Sequence, residues 1–558
     1  MTQFTPGPIP VSPDFPVNWE HPMDEHLLWK HFRSHYPGIV TPLDFFFHVR
    51  ATEVGFNQTL AAYDISAQTF YRYINGYVYS SVLPEMKAPE EMAAMQKSSQ
   101  EKFQQAMGGM AIIWEKKWLP EIKQHLAYWD GYDLDGADLP ALLSHLEETQ
   151  KRLERLWCIH HSVFYPIMLS MSLFDELYRE LFIDANKFDA LELLGGFENK
   201  TVASGQALWE LSRQALALPA VHKILIEHPA SDVMANLSDL GDESQAFLDK
   251  LNDYLQEYGQ RSNILNIDIP SWREDPTPLI SVLQDYLTQS KPDFTTDLEA
   301  LSAKREWRVA QARQELQGYP PMIVGHFEFL LKAAQESTLL SEEHTFWIDY
   351  PTTYHARQIA LAFGKRFQEA GVIDKRDDIF YLTLDELKET ANDLSLKRQE
   401  LTEERQASLQ AFAHRPPPPI LGTLPASPPP DNPMTQALDK FFGGPPKAPQ
   451  APGTLLGDGG SPGLARGTAK VLHSLADAQK LEPGDILVAP STAPPWTPLF
   501  ATVNAVVTDT GGILSHSAVV AREYGIPAVV GTTMATAMIK DGQTIEVNGN
   551  TGLVRIVR

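Results

Sequence analysis

The chain has 558 residues, 43% of them hydrophobic, and a formal net charge of −25 at pH 7. That length is enough for roughly two to four domains with large cores, and the acidic balance disfavours nucleic acid or an anionic membrane as partner. A single cysteine, Cys158, excludes an intramolecular disulfide framework. No run of about 18 uncharged apolar residues marks a membrane span, and the composition fits a cytoplasmic protein.

In chain order, the opening MTQFTPGPIPVSPDFPVNWE is Pro-rich and lacks the basic and apolar regions of a signal peptide. Residues 71–81 (YRYINGYVYSS) place Asn75-Gly76 between aromatic and β-branched flanks, which predicts a hairpin. Helical spacing of apolar residues predicts helices within 88–129, 139–183, 200–228, 235–260, 277–288 and 294–335. Residues 345–349 (TFWID) and 379–383 (IFYLT) read as brief extended pieces. The histidines at 26, 31, 35, 160 and 161 lack HExxH or Cys/His spacing, so structural or surface duty is expected and no metal site is predicted.

The expected organisation is a mainly helical domain over 1–400, a Pro-rich linker over 401–456 and a compact α/β domain over 457–558, giving a multidomain α+β protein. The proline clusters from 415 onward predict a semi-rigid tether with polyproline II character. The stretch QALDKFFGG inside it is a candidate for docking. The last domain has nearly balanced charges, so the acidity belongs to the helical part. Its GDGGSPG run (457–463) opens no helix and lacks the third glycine of a dinucleotide loop; no P-loop or GxSxG elbow occurs either.

The stretch TDTGGILSHSAVVAREYGIPAVVG (508–531) is the most informative. Residues 504–508 predict a buried strand, Asp509–Gly512 a turn, Ser515 an N-cap and Ser517–Tyr524 a helix, with Gly525 at C′ and a second strand over 526–530. His516 then lies in the first helical turn, where unpaired amides and the dipole form an anion site. The dipole favours a neutral ring there, and a neutral ring nitrogen is a nucleophile for phosphorus. The same spacing also suits a histidine that caps or packs. Elsewhere, Arg261 in YGQRSN either clamps an oxyanion or pairs with a carboxylate. Glu342, Glu343 and His344 form either a general-base cluster or a solvated charge cluster.

Residues 508–531 resemble the phosphohistidine motif of the swivelling domain shared by phosphoenolpyruvate synthase, pyruvate phosphate dikinase and rifampicin phosphotransferase. The segments SPGLARGTAKV (461–471), GDILVAPSTAPPWTPLF (484–500) and GQTIEVNGNTGLVRI (542–556) are similar to that domain's other signatures, in order. More loosely, VTPLDF (40–45), INGYVY (74–79), ALWELSRQA (207–215), YLQEYGQR (254–261), EHTFWID (343–349) and QEAGVIDKRDDIFYLTLDEL (368–387) resemble the substrate-binding region of rifampicin phosphotransferase and the phenylphosphate synthase large subunit. Where the family often has a histidine in YGHR, this chain has Gln260. Nothing in it resembles an ATP-grasp domain.

The resemblance implies that a separate ATP-grasp subunit, using ATP and Mg²⁺, phosphorylates His516, with AMP and orthophosphate released overall. The tethered domain then carries the group to a hydroxyl of a small aromatic, phenol-like substrate. Gly511, Gly512, Ser515 and Ser517 are expected to shape the phosphate cradle, and Thr508 and Arg522 to stabilise its charge. Gln260, Arg261, Glu342, Glu343 and His344 are the acceptor-site candidates, and the aromatic residues around 45–47 and 71–79 are candidates to line an apolar pocket. Alternatives are a larger hydroxylated natural product as acceptor, a non-enzymatic phosphorelay, or a kinase with its own nucleotide site in the helical region.

Overall fold

The computed structural model describes residues 7–288, 294–427, 431–448 and 451–557. The protein is multidomain α+β. It folds as two compact units that interleave along the chain: residues 1–166, 265–269 and 347–430, and residues 167–264, 270–346 and 431–558. The helical stretches therefore contribute to both units, which the boundaries expected at 400 and 456 do not anticipate. Composition marks elements, whereas the partner each element packs against depends on contacts distant in sequence.

The first unit holds a five-stranded antiparallel sheet in the order Gly7–Pro8, Ile420–Leu424, Leu28–His31, Tyr77–Pro84, Ala67–Ile74. The hairpin forms as expected, with Asn75 at φ 53° and Gly76 at φ 87°, the positive pair that a two-residue turn needs to match the strand twist. The aromatic residues expected around a pocket instead make the core. Phe45, Phe47, Tyr71, Tyr77 and Tyr79 are buried, and Phe45 packs on Tyr73 with ring centroids 5.1 Å apart. The tyrosine hydroxyls are used structurally: Tyr73 donates to the Val40 carbonyl (2.9 Å), Tyr77 to Phe412 (3.1 Å) and Tyr79 to Pro418 (2.8 Å).

Two expected extended pieces are helical. Thr345–Asp349 is a π turn and Arg376–Tyr381 a 3₁₀ helix; aromatic, β-branched composition favours strands, but neighbouring helices override so short a run. The expected linker is also richer than a tether. It contributes the helix Gln399–Ala413, the sheet strand Ile420–Leu424, the helix Pro433–Phe442 and the strand Thr454–Leu456. Asn432 caps the third of these by accepting from the Met434 and Thr435 amides, both at 3.0 Å. Linker positions 428–430 and 449–450 lie outside the described residues.

In the second unit an eight-stranded mixed sheet runs in the order Thr454–Leu456, Leu553–Ile556, Thr544–Asn548, Leu464–Val471, Ile486–Ala489, Ala505–Thr508, Ala528–Val530, Asp458–Ser461. Its four central strands, from Leu464–Val471 to Ala528–Val530, are parallel. One sheet face buries Val488, Val507, Ile545 and Ile539. The other shares a core with the helices Lys200–Ala217, Asp242–Tyr258 and Thr277–Thr288, joining Leu208, Phe247 and Leu283 to Leu499, Val506 and Val520. This packing fixes the carboxyl end of the strand Ala505–Thr508 close to the end of the helix Pro321–His344.

Candidate functional site

The strand Ala505–Thr508 is wholly buried and leads into a turn built for precision. The Thr508 hydroxyl donates to the Thr510 carbonyl at 2.7 Å, so it fixes the turn. The Asp509 carboxylate accepts from the Thr536 amide at 3.0 Å and from its hydroxyl. Next comes a docking contact. The amides of Gly511, Gly512 and Leu514 donate to the carbonyls of Phe442 (3.1 Å), Phe441 (3.0 Å) and Lys440 (2.8 Å). These are C-terminal carbonyls of the helix Pro433–Phe442, which have no partner within their own helix. A Cβ on Gly512 would lie 2.3 Å from the Lys440 carbonyl oxygen and 2.5 Å from that of Asp439, so only glycine admits this approach. The paired glycines therefore seat the linker helix, with both amides donating to its carbonyls. Lys440 anchors the same helix through Asp175 (3.0 Å) and Glu176 (2.9 Å).

Ser515 is the N-cap residue, with φ −66° and ψ 156°, yet its side chain makes no cap hydrogen bond. Its Oγ is buried with no hydrogen-bond partner among the described residues. His516 opens the helix His516–Glu523, one residue earlier than expected. The first-turn amides have no intrahelical acceptor, and they face outward from the positive end of the dipole. Ser517 is buried and accepts from the Thr492 hydroxyl at 2.7 Å. Arg522 donates to the carbonyls of Gly460 (2.6 Å) and Ile513 (2.9 Å), and burial lowers its pKa to about 10. Six residues on, it sits about 240° around the helix from His516. Through these two carbonyls it braces the loop ahead of the helix against the strand Asp458–Ser461.

The His516 side chain is 15% exposed. Its Nδ1 lies 3.1 Å from Glu342 Oε1 and its Nε2 lies 3.3 Å from Thr497 Oγ1. The second Glu342 oxygen accepts from the Thr201 hydroxyl at 2.6 Å. Thr201 is in the first turn of the helix Lys200–Ala217, capped by Asn199. Burial alone would raise the Glu342 pKa; the facing His516 ring and the Thr201 hydroxyl outweigh it and bring the carboxyl down to about 2. An ionised carboxylate only accepts hydrogen bonds. Nδ1 therefore carries a proton, and in the neutral ring Nε2 holds the lone pair. The ring is thus held between the Glu342 carboxylate at Nδ1 and the Thr497 hydroxyl at Nε2.

The remaining candidates divide. Arg261 is buried; it donates to Ser204 Oγ at 2.9 Å and lies over the Tyr258 and Phe346 rings, each 5.6 Å away. Ser204 is one turn along the helix from Thr201, so Arg261 belongs to the wall beside Glu342. His344 turns back to the Leu340 carbonyl (2.7 Å), while Glu343 and Gln260 are half-buried. The structure thus brings Glu342 alone of the acceptor set onto His516. Thr201 and Thr497 escaped sequence reasoning. The signal for Thr497 was its place in the APPWTPLF segment; for Thr201 it was the NKT helix start.

Residues 481–552 match the PEP-utilising enzyme mobile domain, and residues 160–342 match the rifampicin phosphotransferase fourth domain. The chain is thus similar to the mobile domain of PEP-utilising enzymes over 481–552 and to the rifampicin phosphotransferase fourth domain over 160–342. Chondramide synthase of Chondromyces crocatus is 40% identical over 567 residues, covering 100% of this chain and 14% of that protein. The phosphotransferase YvkC of Bacillus subtilis is 27% identical, covering 96% of this chain and 62% of that protein. Rifampicin phosphotransferase of Streptomyces sviceus is 31% identical, covering 64% of this chain and 40% of that protein. The chain spans less than two thirds of the length of each of these relatives. Among the described residues, no helix is long and apolar enough to cross a membrane.

Proposed function

We propose that this chain carries a phosphoryl group on His516 Nε2 and delivers it to a hydroxyl of an organic acceptor. The carrying observation is the His516–Glu342 pair, which orients Nε2 as nucleophile at the head of an uncapped helix. In the first step the Nε2 lone pair takes a phosphoryl group originating in ATP, through an ATP-grasp module with Mg²⁺, which we propose to be a separate partner subunit. The Nδ1 proton stays against the Glu342 carboxylate, so the phosphorylated ring is an imidazolium. In the second step the acceptor oxygen attacks phosphorus and releases its proton to solvent water, and the P–N electron pair returns to Nε2. The ring leaves neutral, which lowers the barrier. The overall balance is ATP, acceptor and water giving phosphorylated acceptor, AMP and orthophosphate. The negative cradle charge falls to the first-turn amides and the Ser515 hydroxyl. Carriage between two sites would require the shared core of sheet and helices to part.

The likeness to a synthase and to rifampicin phosphotransferases favours a hydroxylated natural product as acceptor. A phenol-like acceptor is the second reading, supported by the phenylphosphate synthase resemblance, though the aromatic residues once expected to bind it form core. Incubating the chain with an ATP-grasp subunit, Mg²⁺ and radiolabelled ATP should place acid-labile label on the wild type and none on His516→Ala. Chasing with rifampicin, simple phenols or no acceptor then sorts the acceptor classes. Undiminished label on His516→Ala would end the proposal, and transfer only to another protein would favour a phosphorelay.

A further inference from the structure

A cavity of about 190 Å³ lies along the helix His516–Glu523, and the transfer scheme does not use it. Its apolar wall includes Met171, Phe188, Leu191, Leu194, Leu301 and Val519. Its polar points are few. Ser461 lines the cavity, is 1% exposed, and its Oγ has no hydrogen-bond partner among the described residues. Such a hydroxyl is expensive to bury unpaired, and so marks a place for a ligand atom. Glu523 also lines the cavity, and burial raises its pKa to about 8. On the wall, one Arg522 nitrogen donates to the Gly460 and Ile513 carbonyls, and Lys304 pairs with Glu192 at 2.9 Å. The mostly apolar wall makes burial of a charged ligand costly. A dry cavity of roughly 150 Å³ suffices for benzene, so the space suits one ring.

The placement adds meaning. Val519 and Glu523 follow His516 by three and seven residues, on the same helix face. Thr338, also in the wall, precedes Glu342 by four residues on the facing helix. The cavity therefore lies about one helical turn, roughly 5 Å, from the His516–Glu342 pair. Its walls come from both the helices and the sheet domain.

We propose that this cavity binds a compact uncharged ring compound bearing one hydroxyl, hydrogen-bonded to Ser461, and that its occupancy holds the helix His516–Glu523 against the helix Pro321–His344. This does not depend on the phosphoryl-transfer reading, since binding requires no phosphate on His516.

The test uses the full chain and 4-fluorophenol, followed by fluorine NMR. Saturable line broadening is expected, abolished by Leu194→Trp, weakened about tenfold by Ser461→Ala, and not reproduced by 4-fluorobenzoate. Hydrogen exchange of the amides in 516–523 should slow when 4-fluorophenol is bound. If Leu194→Trp fails to fold by circular dichroism, Ser461→Ala, which removes a single oxygen, decides. No saturable binding up to about 10 mM, binding indifferent to Ser461→Ala, or equal binding of the benzoate overturns the site. Unchanged exchange in 516–523 on saturation overturns the coupling.

Discussion

The aromatic hairpin of the first unit and the His516 loop of the second obey opposite rules. In the hairpin, the aromatic residues are consumed by packing: Tyr73 lies tilted against Phe45, and the hydroxyls of Tyr73, Tyr77 and Tyr79 end on backbone carbonyls. In the loop, local rules are broken. A helix begins without its cap bond, the Ser515 hydroxyl is buried with no partner among the described residues, and two glycines give their amides to a distant helix. Satisfied polar groups indicate a region built for stability, whereas unsatisfied ones at a helix start indicate a place awaiting a ligand. Residue type alone does not separate the two; the fate of each hydrogen bond does.

Mutations should pull the contrast apart. The largest effect after loss of His516 itself is expected from Glu342→Gln, which keeps shape but removes the anion. Charging of His516 should persist while transfer falls roughly 100-fold, read in a single-turnover chase of the labelled protein; unaltered transfer would reduce the pair to packing. Gly512→Ala comes next. Its methyl collides with the Lys440 carbonyl, so the linker helix should loosen at a cost of about 2 kcal/mol, seen as faster proteolysis within 433–448. Glu523→Gln tests the cavity side of the helix through pH. The native carboxyl keeps its proton to about pH 8, whereas its ordinary value is 4.5. Wild-type stability should therefore fall as pH rises between those values and level off above about 8. The glutamine variant should show a flatter profile in thermal unfolding over that window. The smallest effect belongs to the hairpin. Tyr79→Phe should cost about 1 kcal/mol by stranding the Pro418 carbonyl, with no change in the labelling of His516. If Tyr79→Phe impaired labelling instead, the division between the two regions would fail.

Much of this was legible in the residues. Buried β-branched runs, Asn75-Gly76 and Gly525 announce their elements because local sterics decide them. His516 stood out because a helix start attracts anions wherever it occurs. What stayed hidden depends on partners far apart in the chain. Glu342 could be named as a candidate, but 174 positions separate it from His516, and no periodicity spans that gap. Thr201 and Thr497 were invisible for the same reason. The glycine pair was read as a cradle because glycine signals close approach without saying what approaches, and here it is the end of another helix. The TFWID run misled because composition was weighed without its helical neighbours.

Three amides of residues 511–514 hold the linker helix by its peptide carbonyls. Recognition of that kind is blind to side-chain identity at the three residues being held. Positions 440–442 should therefore tolerate exchange as far as this grip is concerned, provided the coil there ends on schedule. The requirement for invariance is displaced onto the grasping loop, which must keep two residues without side chains a few positions ahead of the reactive ring.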